Sequence, residues 1–278
     1  MIAVIRQGPA ESVIRGTRRI PLFGALRDLW RFRGVILAFA ERNVRLRYKQ
    51  AVFGVAWSVV QPLAFLVVFT LVFARISGRG TAYPAFAITA LVPWFFVQNG
   101  AMLGANSLLT DAALLRKVYF PREIPVVAAV LASALDLAIG LAVLVVAGPF
   151  IGLHLSVQTL LILPLSVMLG GLAVGVAMPL AALNVYYRDF RYALPLFLQL
   201  WMFASPVAYP LTIVQPHWRV VYVLLNPAAG VLSAYRAAML HQPIGVDVLA
   251  VNAATIIVVV WAGYALFKRI EPGFADAV

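Results

Sequence analysis

The residue types that most often carry catalysis or bind metal ions are scarce and scattered in this sequence of 278 residues. Its three histidines, His154, His217 and His241, have no metal-ligand spacing. Its ten acidic residues form no paired-carboxylate motif, and the absence of cysteine excludes disulfides and thiolate chemistry. No lysine follows a glycine, which excludes the G-x-x-x-x-G-K-[ST] loop that cradles nucleotide phosphates. The sequence therefore predicts a protein that is not an enzyme, with no metal and no cofactor of its own.

The composition places most of the chain in a lipid bilayer. Hydrophobic residues make up 63% of it and charged residues 12%, against about 25% charged residues in soluble domains. The net charge of +12 does not indicate nucleic-acid binding, because the basic residues flank apolar blocks and form no basic, aromatic-rich module. Six apolar blocks are long enough to cross a membrane: residues 52–74, 86–109, 124–151, 159–185, 193–209 and 248–267.

The distribution of cations predicts the orientation of these spans. With the N-terminus inside, 18 lysines and arginines fall on cytoplasmic pieces and four, Arg75, Arg79, Arg219 and Arg236, on outer pieces, as the positive-inside rule requires. We therefore expect an all-α integral membrane protein of six transmembrane helices with both termini in the cytoplasm. Its expected parts are a flexible cytoplasmic tail (1–21), an amphipathic interface helix (22–50), a six-span domain (51–270) and a cytoplasmic C-terminus (271–278).

The segment before the first span has the period of an amphipathic helix. Apolar residues recur at helical spacing at Leu26, Trp30, Leu37, Ala40, Val44 and Tyr48. This pattern predicts one interfacial helix, or two joined near Gly34, which serves either as a membrane anchor or as a docking surface for a cytosolic partner. Four cations directly precede the first span, where anionic lipid attracts them: Arg42, Arg45, Arg47 and Lys49.

The segment between the fifth and sixth blocks contains several prolines and a further amphipathic helix. Asn226 is a good N-cap for it and Pro227 a good first helical residue. A seventh span here would bury Arg236 and would place Lys268 and Arg269 outside the cell. We therefore expect re-entrant or interfacial helices on the outer side, whose irregular backbone must be buried in protein or hydrated.

Polar and small residues within the spans indicate contacts between helices. Asp136 lies about 18 Å into the third span at 1.5 Å per residue, where an acid should face the bundle interior and have a partner. Gln98 and Asn99 are candidate partners. The acid is either a substrate or proton site or a polar contact between helices. Gly171 and Gly175 favour close helix packing.

The loop of residues 106–123 is longer than a reversal between helices needs. Its middle can form a short helix in which two leucines stand beside two cations, Leu114, Leu115, Arg116 and Lys117. The loop is either a solvated connector or a coupling helix that presses on a soluble partner. Among the aromatic residues, Trp94 lies in the outer half of its span, and Trp57 and Trp201 lie near the inner ends of theirs. Such rings form an interfacial belt or offer flat faces on which sugars stack.

Four motifs occur in order along the chain, RLRYKQAVFGVAWSVVQP, LLRKVYFPREIPVV, NVYYRDFRYALPLFLQLWMFASPVAYP and LNPAAGVLSAYRAAML. Together they resemble the transmembrane permease of type-2 ABC exporters of bacterial cell-surface polysaccharides, the group that includes O-antigen and teichoic-acid exporters. The resemblance covers about residues 29–269. It implies a homodimer of this chain with two copies of an ABC ATPase subunit, which binds ATP and Mg. The substrate would be a glycan on undecaprenyl diphosphate or a similar lipid, moved from the inner to the outer face of the cytoplasmic membrane.

The resemblance also implies roles for particular residues. Coupling to the ATPase falls to Leu114, Leu115, Arg116, Lys117, Tyr119 and Pro121. The second cytoplasmic loop contains Tyr186, Tyr187, Arg188 and Asp189. A substrate channel between protomers is lined by Trp57, Phe65, Trp94, Trp201, Phe203 and Tyr209. We further expect some of the four cations Arg42, Arg45, Arg47 and Lys49 to capture the lipid diphosphate and the others to contact lipid headgroups, because all four lie at the depth of the headgroups.

Three other classes of protein compete with this assignment. A membrane-embedded glycosyl- or phosphotransferase would need acids or histidines clustered at one membrane face. A flippase driven by an ion gradient would show inverted repeats and several intramembrane charges, whereas Asp136 is the one such charge that the sequence places in mid-span. An ABC exporter of a small hydrophobic molecule or drug is the third alternative. A neighbouring gene for an ATPase with a phosphate loop, surrounded by glycosyltransferase genes, would settle both the class and the type of substrate.

Overall fold

The computed structural model describes residues 22–49, 54–115, 120–153, 156–187 and 189–274. Within these ranges the chain is helical with short connections and contains no strand, as the sequence predicted. The α-helices are α1 (Leu22–Arg31), α2 (Arg33–Tyr48), α3 (Trp57–Ile76), α4 (Tyr83–Thr110), α5 (Ala112–Leu115), α6 (Glu123–Ala147), α7 (Ile162–Tyr186), α8 (Phe190–Ala204), α9 (Pro216–Leu225), α10 (Ala229–Met239) and α11 (Val246–Ile270).

Within the described ranges, five helices, four of them extended by 3-10 turns, are long and apolar enough to cross a membrane. They are Trp57–Ile76, Gly80–Thr110, Glu123–Ile151, Val157–Tyr186 and Val246–Gly273, and they correspond to the first four predicted blocks and the last one. The fifth block forms α8, which has 15 residues, or about 22 Å at 1.5 Å per residue. It ends at Ala204 and not at Tyr209, because Pro206 and Pro210 have no backbone N–H with which to continue it.

Helix α4 forms the centre of the bundle, where it packs between α6 and α7. Its whole circumference is apolar, which favours a position surrounded by other helices, and most of its residues are buried. Small residues let the neighbouring helices approach closely. A Cβ atom at Gly100 would lie 2.9 Å from Ser133 Oγ, and one at Gly104 would lie 2.7 Å from Ala177 Cβ. These glycines therefore set the distance of α6 and α7 from the central helix.

Helices α7 and α11 cross at an even closer point. A Cβ atom at Gly263 would lie 2.1 Å from the carbonyl oxygen of Gly175, and one at Gly175 would lie 3.0 Å from Val260 Cα. Only glycine fits at such a backbone contact. The small-residue face predicted for the fourth span is thus confirmed, and its partner is the sixth span.

Contacts between helix termini define two ends of the bundle. We call one end basal: α4, α7 and α11 end there and α6 begins there. At this end Lys268 pairs with Glu123 at 2.9 Å. At the opposite, distal end, where α9 and α10 lie, Tyr83 donates a hydrogen bond to the carbonyl of Ala208 at 2.9 Å. The loops that the sequence assigned to the cytoplasm lie at the basal end, and α9 and α10, assigned to the outer side, lie at the distal end.

The N-terminal amphipathic segment forms two helices, α1 and α2, which meet at Phe32, two residues before the predicted joint. Helix α2 runs alongside the first half of α6 in the same direction. Its Phe39 contacts Phe120, just before α6, with ring centres 5.4 Å apart, and its Arg47 reaches Asp136, in the middle of α6. The segment is therefore packed against a membrane span along most of α2.

Helix α2 buries Ile36, Phe39 and Ala40 against α6. Trp30 of α1 and Leu37 of α2, which the sequence assigned to the apolar face, are exposed on the single chain. Whether this exposed part meets the membrane or a partner stays a prediction. The period of the sequence indicates an apolar face but not the surface that it meets.

Helix α3 begins beside the second half of α6. Ser58 and Pro62 line a cavity of about 120 Å³ together with Gly140 and Leu144. Trp57 is the first residue of α3, at the end of the span where the sequence placed it. This end lies beside the second half of α6, whereas α2 packs on the first half.

Helices α9 and α10 are bent by 110° relative to each other, the geometry of a broken span or a re-entrant loop. This agrees with the expected re-entrant element. Helix α10 begins at Ala229, with Ala228 at the N-cap, two residues after the predicted start. Asn226 is therefore not the N-cap, but its Oδ1 accepts a hydrogen bond from the N–H of Ala228 at 3.3 Å and so satisfies one free donor of the first turn.

Candidate functional site

Asp136 of α6 binds the end of α2 and not the polar residues predicted for it. Arg47 Nη1 lies 2.5 Å from Asp136 Oδ2, and Tyr48 Oη donates a hydrogen bond to Oδ1. Gln98, one predicted partner, instead accepts a hydrogen bond from a tryptophan of its own helix. The expected pairing with Gln98 and Asn99 was wrong, because α2 packs against α6 and brings a cation to the acid.

The environment of this contact favours a structural role for the acid. The side chain of Asp136 is 5% exposed and that of Arg47 is 32% exposed. Burial and the hydrogen bond to Asp136 raise the pKa of Tyr48 to about 12, so the phenol stays protonated and can donate. A buried carboxylate needs both a cation and hydrogen bonds, and α2 supplies both. Of the two readings of the sequence, the contact between helices is the one that this geometry supports.

The other three cations before the first span differ in their surroundings. Arg42 pairs with Asp111, a buried acid directly after α4. Arg45 pairs with Glu41 one turn earlier, and both side chains are exposed. Lys49 is also exposed. Arg42, like Arg47, is thus neutralised by a buried acid, whereas Arg45 and Lys49 face the surroundings of the protein.

A cavity of about 270 Å³ lies between α2, α4 and α6 beside these ion pairs. Its polar lining consists of Asn43, Arg47, Tyr48, Ser107, Thr110 and Asp111. The pair of Arg42 joins α2 to the end of α4, and the pair of Arg47 joins α2 to α6. A displacement of α2 must therefore act on two spans at once.

The loop predicted to couple to a partner packs on the same helix. The expected short helix is present as α5, and its Leu114 is half-buried against the apolar cluster of α2 and α6. Phe120 is buried in that cluster, and Pro121 lies two residues before α6. Arg116, Lys117 and Tyr119 lie outside the described residues, as does the side chain of Leu115. The described residues on both sides of this loop thus pack on α2 and α6.

A cluster at the basal end that the sequence did not reveal joins the C-terminal part of the chain to the start of α6. Lys268 Nζ lies 2.9 Å from Glu123 Oε2 and 2.8 Å from Glu271 Oε2. Arg122 donates a hydrogen bond to the carbonyl of Glu271 at 2.9 Å and stacks on Phe274. Lys268 and Glu123 are 145 residues apart, so no local pattern could have indicated their contact.

The second predicted cytoplasmic loop borders this cluster. The hydroxyl of Tyr186 lies 3.4 Å from the carbonyl oxygen of Ile270, and its ring contacts Phe274. Tyr187 and Asp189 are exposed, and Arg188 lies outside the described residues. Both predicted cytoplasmic loops therefore meet the end of α11.

Three of the predicted channel aromatics lie at the surface of the single chain, on α3 and α8. Trp57 is 55% exposed and Phe203 47% exposed, and Phe65 is half-buried. Phe69 links the two helices, since its ring centre lies 6.0 Å from that of Phe65 and 5.9 Å from that of Phe203. Phe197 adds a further exposed ring on α8. We call these residues of α3 and α8 the aromatic strip.

The other three predicted channel aromatics hold parts of the chain together. Trp94 is fully buried and meets the ring of Trp201 edge to face at 5.4 Å. Trp201 Nε1 donates a hydrogen bond to Asn226 Oδ1 at 3.0 Å, and the hydroxyls of Tyr209 and Tyr222 lie 3.2 Å apart. The prediction that Trp94 lines a channel was wrong, because α4 is the central helix and turns this ring into the core.

Arg236 is buried at the distal end among backbone carbonyl groups. Its Nε donates to the carbonyl of Phe86 at 3.0 Å, and its Nη2 donates to those of Pro206 and Val207 at 2.9 and 2.7 Å. Its guanidinium carbon lies 3.7 Å from the centre of the Phe86 ring. The sequence counted the burial of Arg236 against a seventh span, but the re-entrant arrangement buries it too, because the guanidinium donates hydrogen bonds to the irregular backbone between α8 and α9.

Comparison with known proteins places this architecture in a family. Residues 35–240 match the ABC-2 type transporter family. The chain is 26% identical to the O-antigen export system permease protein RfbA of Myxococcus xanthus, over 91% of this chain and 98% of the relative. It is 22% identical to the protein of the same name from Klebsiella pneumoniae, over 87% and 94% of the two chains. It is also 22% identical to the polysialic acid transport protein KpsM of Escherichia coli, over 83% and 91%. The matched region begins in α2 and ends directly after α10, and on this basis the chain belongs to the ABC-2 type transporter family.

Proposed function

We propose that this chain is the permease subunit of an ATP-driven exporter that moves a lipid-linked polysaccharide from the inner to the outer face of the bacterial cytoplasmic membrane. The observation that carries the proposal is the similarity, over most of both chains, to proteins named for O-antigen export and polysialic acid transport. Because two of the relatives from different bacteria carry the O-antigen name, an O-antigen-like glycan is the favoured substrate.

In this proposal a separate ABC ATPase hydrolyses ATP, and two copies of it bind a homodimer of this chain. The absence of a phosphate-loop motif from the sequence supports a separate nucleotide-binding subunit. The segment that receives the ATPase lies between Leu114 and Phe120, which both pack on the α2–α6 cluster. A push on this segment reaches α2, and the ion pairs of Arg42 and Arg47 carry it to α4 and α6.

The glycan path runs between the two protomers along the aromatic strip. Three rings of the strip, Trp57, Phe197 and Phe203, are about half exposed on the single chain, so a second copy or lipid must face them. Flat rings such as those of Trp57 and Phe203 can stack on the apolar faces of sugars without forming a deep well that would retain a polymer. Phe65 within the strip, and Trp201 and Tyr209 beside it, are partly buried and support the walls of this path.

The diphosphate of the carrier lipid is captured by Arg45 and Lys49, because the other two cations of the original set of four are paired with buried acids. Each cation near an anionic group at the membrane surface contributes about 1 kcal/mol. Replacing both Arg45 and Lys49 by Gln should therefore weaken capture about 30-fold. The matched control is Glu41→Gln, which frees Arg45 from its partner and should leave export intact or raise it.

The experiment that tests the proposal measures surface polysaccharide in the bacterium that carries this gene. Deleting the gene should abolish the polysaccharide at the cell surface and should cause lipid-linked glycan to accumulate on the cytoplasmic face. Restoring the chain together with an ATPase whose phosphate-loop lysine is changed should not rescue export. Normal surface polysaccharide in the deletion strain would refute the proposal and would favour the export of a small hydrophobic molecule.

A further inference from the structure

Arg219 stands apart from the other arginines at the distal end. Arg236 is bound by carbonyl groups, and Arg79 stacks on the ring of Phe86 at 4.1 Å. The Nε of Arg219, in contrast, is buried and has no hydrogen-bond partner among the described residues. Its Nη2 makes one long contact of 3.4 Å with the carbonyl of Val214. Since buried N–H groups almost always have an acceptor, the described residues leave the hydrogen-bonding capacity of the Arg219 guanidinium largely unused.

Arg219 lines a cavity of about 200 Å³ formed by α9, α10, the start of α11 and the turn before α9. Two hydroxyl residues, Thr212 and Ser233, line the same cavity. A guanidinium presents paired N–H donors that match the oxygens of a phosphate or carboxylate, and serine and threonine hydroxyls donate to the same oxygens. The volume exceeds that of several water molecules, so a phosphate group fits.

We propose that this cavity is an oxyanion site, in which Arg219 binds a phosphate or carboxylate group with the help of Thr212 and Ser233. One carboxylate of the chain itself lies near its mouth. Asp247 Oδ1 would be 3.4 Å from a Cβ atom placed on Gly245, which lines the cavity. No ion pair joins Asp247 to Arg219 in the part of the chain that the structure describes, so the site is left for an external anion.

Two sources can supply such an oxyanion at the distal end. One is the headgroup phosphate of a membrane lipid. The other is the diphosphate of the carrier lipid as it leaves the transport path, and this second source rests on the proposed function. Both present phosphate oxygens to the same guanidinium, so experiments must separate them by supplying each one alone.

The test uses the full chain with its ATPase in nanodiscs and a single thiol as reporter. Because the chain has no cysteine, the substitution Val248→Cys places its one thiol on the cavity wall. Its rate of modification by an anionic methanethiosulfonate is followed on this chain by mass spectrometry. In phosphatidylcholine discs, pyrophosphate should slow the reaction at least tenfold, and phosphatidylglycerol discs should slow it without pyrophosphate if a lipid headgroup is the ligand.

The variant Arg219→Gln removes the charged donors and should weaken protection about 10- to 100-fold, the effect of losing hydrogen bonds to a charged group. Arg75→Gln, at an exposed arginine near the end of α3, should leave protection unchanged. Ser233→Ala removes a single donor and should reduce protection severalfold, which keeps the test informative if Arg219→Gln fails to fold.

Three results would overturn the site. Pyrophosphate and phosphatidylglycerol could both fail to protect the thiol, or protection could persist undiminished in Arg219→Gln. Protection that appears only after Asp247→Asn would mean that the chain's own carboxylate fills the cavity. The binding assay contains no glycan, so its outcome is independent of the export test. A failed export test together with intact protection of the thiol would refute only the proposed function.

Discussion

The ion pair between Arg47 and Asp136 should stabilise the docking of α2 on the bundle. The change Arg47→Gln keeps a side chain of similar length but leaves Asp136, which is 5% exposed, without its cation. Tyr48 would still donate one hydrogen bond to the acid. We therefore expect Arg47→Gln to destabilise the protein, with α2 detaching from α6 before the spans unfold.

The expected magnitude follows from the burial of the two partners. Removing one partner of a buried ion pair costs about 3–5 kcal/mol. Since Arg47 is 32% exposed and Tyr48 remains, we expect a loss of about 2–3 kcal/mol. The double variant Arg47→Gln with Asp136→Asn removes the unpaired charge as well and should recover about 2 kcal/mol of this loss. Arg45→Gln breaks an exposed pair and should cost at most about 1 kcal/mol.

The measurement is a double-mutant cycle on the purified chain in mixed micelles, with unfolding by added dodecyl sulfate followed by circular dichroism. The midpoint should fall most for Arg47→Gln and clearly less for both the double variant and Arg45→Gln. Equal losses for Arg47→Gln and Arg45→Gln, or additive losses in the double variant, would refute the role assigned to this pair.

Two further predictions concern the crossing of α7 and α11 and the distal end. Gly263→Ala places a Cβ atom 2.1 Å from the carbonyl oxygen of Gly175 and should cost about 3 kcal/mol in the same titration. The control Gly34→Ala, where no atom lies within 4 Å of the new Cβ, should be neutral or stabilising by up to about 1 kcal/mol. Similar unfolding midpoints for the two variants would contradict this account. Arg236→Gln should cost at least about 2 kcal/mol, because several buried carbonyl groups lose their donor, while Arg75→Gln, at an exposed position, should stay within about 0.5 kcal/mol. An Arg236→Gln protein as stable as Arg75→Gln would refute the role of this arginine.

Much of the architecture follows from local patterns in the chain. An uninterrupted apolar block requires a helix in a membrane, because no water is present to satisfy its backbone groups. The first four blocks and the last therefore appear as helices close to their predicted bounds, and α4, apolar all round, takes the central position. The bend between α9 and α10 also has a local cause, in Asn226 and Pro227 between them.

The partners of the polar residues could not be read from the same patterns. Arg47 and Asp136 are 89 residues apart, and Arg236 and Phe86 are 150 residues apart. Local sequence specifies the length and polarity of a helix, but the face that meets a neighbour depends on how all the helices pack. Trp94 points into the core for the same reason, although its aromatic side chain and its depth in the span are those expected of a channel residue.

By itself, the sequence determined that the protein is an all-α membrane protein and that it carries no phosphate-loop motif for ATP. It also determined which loops lie together at one end of the helix bundle. Hydropathy, charge bias and the presence or absence of a short motif depend only on residues that are close in sequence, so they can be read without knowing how the helices pack. Only the tertiary structure decided that two of the four cations before the first span are neutralised by buried acids. The same holds for Arg219, whose guanidinium finds few hydrogen-bond acceptors among the described residues. Those assignments depend on distances between helices remote in sequence, which packing alone establishes.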